Sequence, residues 1–319
     1  MKISIVMTVY NGEKYLKDQI DSFLNQTLLA DEIVIADDCS SDKTIEIIEK
    51  YKKNYPDKIK IFKNKHNLGF TRNFENAISK SSGDIIFLSD QDDLWYENKI
   101  EIVVKKFNSN PNVDLIIHDA DLVNENLKFT NYSVLSQVIS GFNNTDVFIT
   151  GALTAFKKNL VKYFLPFPKN LVGHDGFIHF VSKNLNTRIV INDKLQMIRR
   201  HADNTSGWVA SSLKKINKFD VFKQQFFSKR VKHYNDRLEQ VIHMINILEK
   251  LRFEQHNFSK DTLILSQVKL EKEREALEKR NLLEKKNFFE RKLIAFELLI
   301  KNQYKYFNGY KSFIRDLLR

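Results

Sequence analysis

Over its first hundred residues the chain alternates short apolar runs with stretches of helical period. Lys2 to Val9 reads as a strand, and Glu13 to Asn25 follows as a helix with Leu16, Ile20, Phe23 and Leu24 on one face. Glu32 to Asp37 is a second strand, and Lys43 to Lys53 a second helix showing Ile45, Ile48 and Tyr51. The same reading gives a strand at Ile59 to Phe62, a helix at Phe70 to Ser79 and a strand at Ile85 to Leu88. A helix at Glu97 to Phe107 and a fifth strand at Val113 to His118 complete the series. Strands alternating with helices predict an α/β fold, a mostly parallel sheet flanked by helices. Ligands of such sheets bind outside the carboxyl ends of the strands. Polar clusters fall at those ends: Thr8-Val9-Tyr10-Asn11, Asp37-Asp38, and Asp90-Gln91-Asp92-Asp93.

From about residue 124 the regularity fades. Phe148 to Phe156 reads as a strand interrupted at Gly151, where a side chain would crowd a close neighbour. His174 to Asn184 reads as a helix and Thr187 to Arg200 as a strand or strand pair. Beyond residue 208 the pattern becomes long helices, roughly 216 to 256 and 260 to 301, the second capped by Ser259. They make an α-helical C-terminal region rich in Lys, Glu and Leu.

Charge sharpens that division. Residues 1 to 210 carry 26 Lys and Arg against 26 Asp and Glu; residues 211 to 319 carry 25 against 14, which is the whole excess of +11. A basic partner surface is therefore expected only in the C-terminal region. The 319 residues suffice for one domain of about 200 residues with an appendage. No apolar stretch reaches the roughly 18 to 20 residues of a membrane span, and the chain enters a strand directly rather than a signal sequence. A cytoplasmic location is expected, with Cys39, the only cysteine, excluding an internal disulfide framework.

The chemistry concentrates in Asp90, Asp92 and Asp93. Carboxylates this close raise one another's pKa unless a cation compensates them, and hard oxygen ligands suit Mg²⁺ or Mn²⁺ completed by substrate phosphates. An acidic turn capping the next helix is the alternative. Asn67-Leu68-Gly69 opens the helix that carries Arg72, so its amides and the guanidinium are candidates for phosphate contact, or a plain helix start. Asp37 or Asp38 is placed to accept from a ribose hydroxyl or a base, or is an exposed turn residue. There is no Gly-x-Gly-x-x-Gly and no Gly-Lys-Ser/Thr, which argues against dinucleotide enzymes and P-loop nucleotidases.

Residues 2 to 100 resemble the nucleotide-binding half of the family two glycosyltransferases, which have the GT-A fold. The resemblance rests on Thr8-Val9-Tyr10-Asn11, Asp37-Asp38 with Ser40 and Asp42, Asn67-Leu68-Gly69 with Arg72-Asn73, and Asp90-Gln91-Asp92-Asp93. It implies that Tyr10 and Asp38 flank the base and that Asp92 lies near the ribose or the metal. It further implies that Asp93 binds a Mg²⁺ or Mn²⁺ bridging two phosphates; Thr8, Asn11, Asn67, Arg72 and Asp90 belong to the same implied nucleotide-sugar site. Asp90 is the one of the three most readily taken as structural. Residues 165 to 207 extend the resemblance to the branch with bacterial rhamnosyltransferases, through Gly173-His174-Asp175 and Arg199-Arg200-His201 with Asn204, Ser206 and Gly207. That branch usually has two bulky aromatics after the His-Asp pair, where this chain has Gly176 and Phe177. The difference argues for a roomier acceptor pocket and leaves rhamnose open as the donor sugar.

In domain terms the resemblance implies a catalytic domain over residues 1–207, with a nucleotide half (1–123) and an acceptor half (124–207), followed by the basic helical region 208–319. Asp175 begins a helix, whose dipole favours a carboxylate in its charged form, and is the expected catalytic base, with a plain N-terminal helix cap as the alternative. Gly151 and His174 are placed on the acceptor side. His201 reads as a contact to the diphosphate or metal, or as a structural histidine; His66, His118, His233, His243 and His256 read as structural. The expected activity is metal-dependent, inverting transfer from a UDP- or dTDP-sugar to a hydroxyl of a surface polysaccharide or lipid-linked oligosaccharide. A non-catalytic nucleotide-sugar or glycan-binding protein is the alternative, and a nucleotidyltransferase would normally bring a glycine-rich loop. In the C-terminal region, Tyr304-Lys305-Tyr306-Phe307, Tyr310-Lys311-Ser312-Phe313 and Phe222, Phe226 and Phe227 mix aromatics with Lys. They suit an anionic membrane on the inner face of the cell envelope, or an appendage packed on the catalytic domain or a second copy, rather than nucleic acid.

Overall fold

The computed structural model describes residues 1–202, 204, 207–227, 234–253, 258–307 and 309–318. Ser206, His233 and His256, and the side chains of Phe222, Phe226 and Phe227, lie outside the described residues. Two compact units are present: Met1–Phe167, Val172–Lys183 and Thr187–Ser228 form the first, and Pro168–Leu171, Asn184–Asn186 and Lys229–Arg319 the second. The expected boundary at residue 207 lies inside the first unit.

The first unit is built on a nine-stranded sheet. Strands β1 (Ile3–Val9), β2 (Glu32–Asp37), β3 (Ile59–Lys63) and β4 (Ile85–Ser89) are parallel, in the order β3-β2-β1-β4. Helices α1 (Leu16–Leu24), α2 (Thr44–Asn54), α3 (Phe70–Lys80) and α4 (Lys99–Ser109) connect or follow them. Alternate residues of β1, Ile3, Ile5, Met7 and Val9, share one apolar core with Leu16, Ile20 and Phe23 of α1, Ile48 of α2 and Ile100, Val103 and Phe107 of α4. Helix α3 packs across β1 and β2, through Phe74, Ala77 and Ile78, all buried. A strand buried on both faces loses the strict alternation of an amphipathic strand, which is why these segments read as continuous apolar runs.

Beyond β4 the sheet turns mixed. A two-residue β5 (Leu94–Trp95) directly follows the acidic cluster, then come β6 (Leu115–Asn124), β7 (Phe129–Ser133), β8 (Thr154–Lys157) and β9 (Arg188–Arg200). β8 lies antiparallel between β4 and β6, and β9 runs parallel to β6 while pairing antiparallel with β5. Helices α5 (Val134–Phe142), α6 (Lys158–Phe164), α7 (His174–Asn184) and α8 (Lys218–Phe227) complete the unit. One expectation is corrected here. The strand expected over Phe148 to Phe156 is confined to β8, because Gly151–Leu153 forms a turn of 3₁₀-helix. Of the two readings of Thr187 to Arg200, a strand or a strand pair, the structure has the single strand, β9, of 13 residues.

The second unit is helical: α9 (Tyr234–Phe253), α10 (Lys260–Leu282), α11 (Phe288–Ile300) and α12 (Tyr310–Leu318). Ser259 stands at the N-terminus of α10, but its side chain makes no capping bond there. The long pattern from 260 to 301 is broken at Leu283–Lys285, and Asn287 restarts α11 through a capping box with Glu290. Leu283, Ala295, Leu298, Tyr304 and Phe313 form its core, beside a buried ion pair of Arg280 and Asp316 at 3.1 Å.

Candidate active site

Strand register brings the predicted clusters to one edge. Val9 pairs with Asp37 across β1 and β2, and Met7 with Ser89 across β1 and β4, so Tyr10, Asp38 and Asp90 leave the sheet side by side. Tyr10 is 51% exposed while its backbone is fixed. Its N–H donates to Gln91 Oε1 (2.9 Å) and its carbonyl accepts from Gln91 Nε2 (3.1 Å). A Cβ on Gly12 would come within 2.5 Å of Gln91 Oε1, so glycine there makes the clamp feasible. Asn11 takes a left-handed φ of 48° and accepts from the Ser41 amide at 2.8 Å. Thr8 is buried in the strand beneath.

Asp38 is buried and occupied. Its carboxylate accepts from the amides of Leu68 (2.8 Å) and Gly69 (2.9 Å) and from Asn64 Nδ2 (2.8 Å), and its carbonyl accepts from Asn67 Nδ2. The structure therefore joins Asp38 to the Asn67-Leu68-Gly69 loop and sets the start of α3. Arg72 forms an ion pair with Glu75 at 2.5 Å and donates to the Phe167 carbonyl at 3.3 Å.

The three carboxylates divide unequally. Asp93 lies buried: Oδ2 accepts from Gln196 Nε2 at 2.8 Å and Oδ1 from the Arg199 amide at 3.2 Å. Both donors belong to β9, which β5 places there by pairing Trp95 with Gln196. Below it Lys99, 1% exposed, donates to Gln196 Oε1 at 2.5 Å and lies 3.6 Å from the Trp95 ring centroid. Burial, then Asp92 and Asp90, pushes Asp93 well above the carboxylate range, against the Arg199 amide and Lys99. Burial likewise pulls Lys99 well down, with Asp93 and Asp90 opposing. Asp92 Oδ2 accepts from His201 Nε2 at 2.9 Å and Asn204 Nδ2 at 3.1 Å. The same Asn204 receives the His201 amide at 2.8 Å, which fixes the ring, and Tyr15 packs 4.6 Å from it.

Asp90 differs from both. Among the described residues no group hydrogen-bonds its carboxylate, and the residue is exposed. Desolvation by the surrounding protein, then the charges of Asp92 and Asp175, pushes Asp90 up to about 7, with Lys99 opposing. That electrostatic coupling also brings Asp175, at the start of α7, into the cluster's field. Asp175 Oδ1 accepts from the Gly176 amide at 2.8 Å. His174 beside it is 5% exposed and stacks on Phe74 with centroids 3.9 Å apart. Burial pushes its imidazole down to about 4, with Asp175 opposing, and neither ring nitrogen has a partner among the described residues. The neighbour that a side chain at Gly151 would crowd is this ring, since a Cβ there would lie 2.7 Å from His174 Nε2.

The 2.9 Å between His201 Nε2 and Asp92 Oδ2 is a hydrogen bond, so these two groups could offer a ring nitrogen and a carboxylate oxygen to a divalent cation only by giving that bond up, His201 Nε2 without its proton. Among the described residues no three His, Cys, Asp or Glu side chains form a group that could hold a metal. Lys99, Gln91 and Gln196 were not legible as site residues, and Asn204 stood out only as part of the motif that contains His201. Gln91 reads only as the spacer of Asp-x-Asp, and the others lie far from the cluster in sequence or inside a helix.

Comparison with known proteins decides the family. The sequence profile of Glycosyl transferase family 2 matches residues 4–164, about half of the chain. This chain belongs to glycosyl transferase family 2. The dTDP-rhamnosyl transferase RfbG of Shigella flexneri is 26% identical over 238 residues, 70% of this family 2 chain and 82% of that protein. The EpsE protein of Bacillus subtilis (strain 168) is 35% identical over 100 residues, and this chain spans only 36% of its length. S. aureus TarS 1-349 in complex with UDP has a TM-score of 0.57 at 16% identity, covering 92% of this chain and 78% of that one. At that identity the likeness shows the fold alone, the GT-A-type α/β fold with a helical C-terminal region.

Proposed function

We propose that this family 2 protein transfers a sugar, hexosyl or deoxyhexosyl, from a UDP- or dTDP-sugar to a hydroxyl of a surface polysaccharide or lipid-linked oligosaccharide, with inversion and with Mg²⁺ or Mn²⁺. The observation that carries this reading is the meeting of Asp92 and His201, 109 positions apart in the sequence, at 2.9 Å, with Asp90 and the Asp175 helix start in the same electrostatic cluster. The relatives' substrates agree: RfbG is a dTDP-rhamnosyl transferase, and TarS is seen with UDP and UDP-GlcNAc.

Tyr10, exposed on a clamped backbone, offers a ring face for the base. Asp38 acts on the donor through the loop it anchors, Asn67 to Gly69. The ion would be held by Asp92 and His201, with Asp90 open to it and Asp93 as the fixed floor that ties β9 to β5. When bound, such an ion neutralises the diphosphate and stabilises its departure as a Lewis acid. Asp175 keeps one oxygen on the Gly176 amide and uses the other to take the acceptor's hydroxyl proton as the acceptor oxygen attacks the anomeric carbon and the nucleoside diphosphate leaves. One base and one departing diphosphate describe a single displacement, hence inversion; a paired-carboxylate hydrolase arrangement is a different geometry. His174 and Gly151 form the wall on the acceptor side.

Calorimetric titration of Mn²⁺ with UDP present tests the assignment. His201→Ala should weaken Mn²⁺ binding by at least roughly tenfold; unchanged affinity would remove His201 from the site. Release of sugar from the donor in the absence of acceptor distinguishes an enzyme from a non-catalytic binder.

A further inference from the structure

Helix α11 is apolar on two sides. Its inner side, Ala295 and Leu298 with Ile294 and Leu299, builds the core of the second unit with Tyr304 and Phe313. Its outer side carries Phe289 (78% exposed), Leu293 (72%), Phe296 (47%) and Ile300 (82%). At 100° per residue these four fall within an arc of roughly 60°. A helix that is apolar all round is normally covered on every side. The stripe continues on α12 with Tyr310 (64% exposed), Ile314 (43%) and Leu318 (82%). The Phe296, Phe313 and Tyr310 rings link the two helices, with centroids 5.4 Å apart at each step.

The charge around these helices selects the occupant. Residues 211–319 carry the chain's entire excess of +11, and Lys285, Lys292, Lys305, Lys311 and Arg315 lie on or beside α11 and α12, with Lys286 and Lys301 there ion-paired to Glu290 and Glu297. A second copy would bring an equally basic surface against this one, so repulsion opposes self-association through it. An anionic lipid surface complements it: apolar side chains enter the headgroup boundary and the Lys and Arg side chains meet the lipid charge.

We propose that the outer face of α11, continued by α12, is an interfacial anchor that seats the protein on an anionic membrane. Each Lys or Arg near such a surface strengthens binding by roughly fivefold, so attachment depends on both salt and lipid charge. The test is co-sedimentation of the full chain with vesicles of phosphatidylcholine alone or mixed with phosphatidylglycerol, at low and high NaCl. The expected result is binding at least about tenfold stronger to the anionic vesicles and weakened by salt. The double substitution Leu293→Glu/Ile300→Glu should reduce that binding by at least roughly tenfold with an unchanged melting temperature, because both side chains are exposed. Failure to bind anionic vesicles, equal binding to neutral ones, or wild-type binding by the double variant overturns the proposal. So does a concentration-dependent dimer, seen by light scattering and abolished by the same substitutions, in a protein that ignores vesicles.

Discussion

Lys99→Met tests whether the floor of the site is a buried polar relay. Methionine keeps an unbranched chain of similar length beside Trp95 but removes the ammonium. Lys99 Nζ now serves Gln196 Oε1 at 2.5 Å and the Ala152 carbonyl at 3.3 Å, in an interior where Lys99 is 1% exposed. Each buried acceptor left without a donor costs about 1–3 kcal/mol. Methionine avoids burying a polar group, which offsets part of this. The expected net loss is about 1–3 kcal/mol, since the partners of Lys99 are the neutral oxygens of Gln196 and Ala152. The two tryptophans, Trp95 and Trp208, both lie in the first unit, so urea denaturation followed by their fluorescence reports that unit. Pairing the change with Gln196→Met in a double-mutant cycle should show a coupling of about 1 kcal/mol or more, since the two side chains share one bond. A single variant within 1 kcal/mol of wild type, on the scale of ordinary surface changes, or strictly additive losses, would refute the relay.

Asp175→Asn should lower transfer by about 10²- to 10⁴-fold, with donor affinity in calorimetry little changed; comparable turnover would remove it as the base. Gly151→Val places a side chain where even a Cβ lies 2.7 Å from His174 Nε2; a loss of about 1–3 kcal/mol in urea denaturation is expected from such overpacking. For Asp90, the folded protein keeps its proton up to about 7, whereas the reference carboxylate releases it near 3.8. Its contribution to stability is therefore complete below 3.8 and is lost as pH rises through about 7. Metal-free protein melted between pH 5 and 8 should show that decline, and Asp90→Asn should flatten it.

Most of the parallel half was legible because its signals are local. The apolar runs at Ile3–Val9, Glu32–Asp37 and Ile85–Ser89 need burial on both faces, and α3 begins at Phe70 as the pattern predicts. The second half was less legible where an element depends on partners. The segment before β8 carries the residues of a strand, but Gly151 folds into a 3₁₀ turn facing His174. β9 runs its full length because β6 pairs with both of its ends, across two register shifts, and β5 pairs with Gln196 and Met197.

The sequence by itself determined that acidic residues end a buried strand, that Tyr10 and Asp38 share their edge, and that Asp175 begins a helix. Hydrophobic period and strand polarity suffice for that. Only the tertiary structure decided how the three carboxylates differ. Asp93 is closed over by Gln196 and Arg199, Asp92 meets His201, and Asp90 keeps its oxygens open. The physical reason is separation along the chain: more than a hundred residues lie between Asp92 or Asp93 and their β9 and post-β9 partners, and strand pairing, not local pattern, brings those partners home.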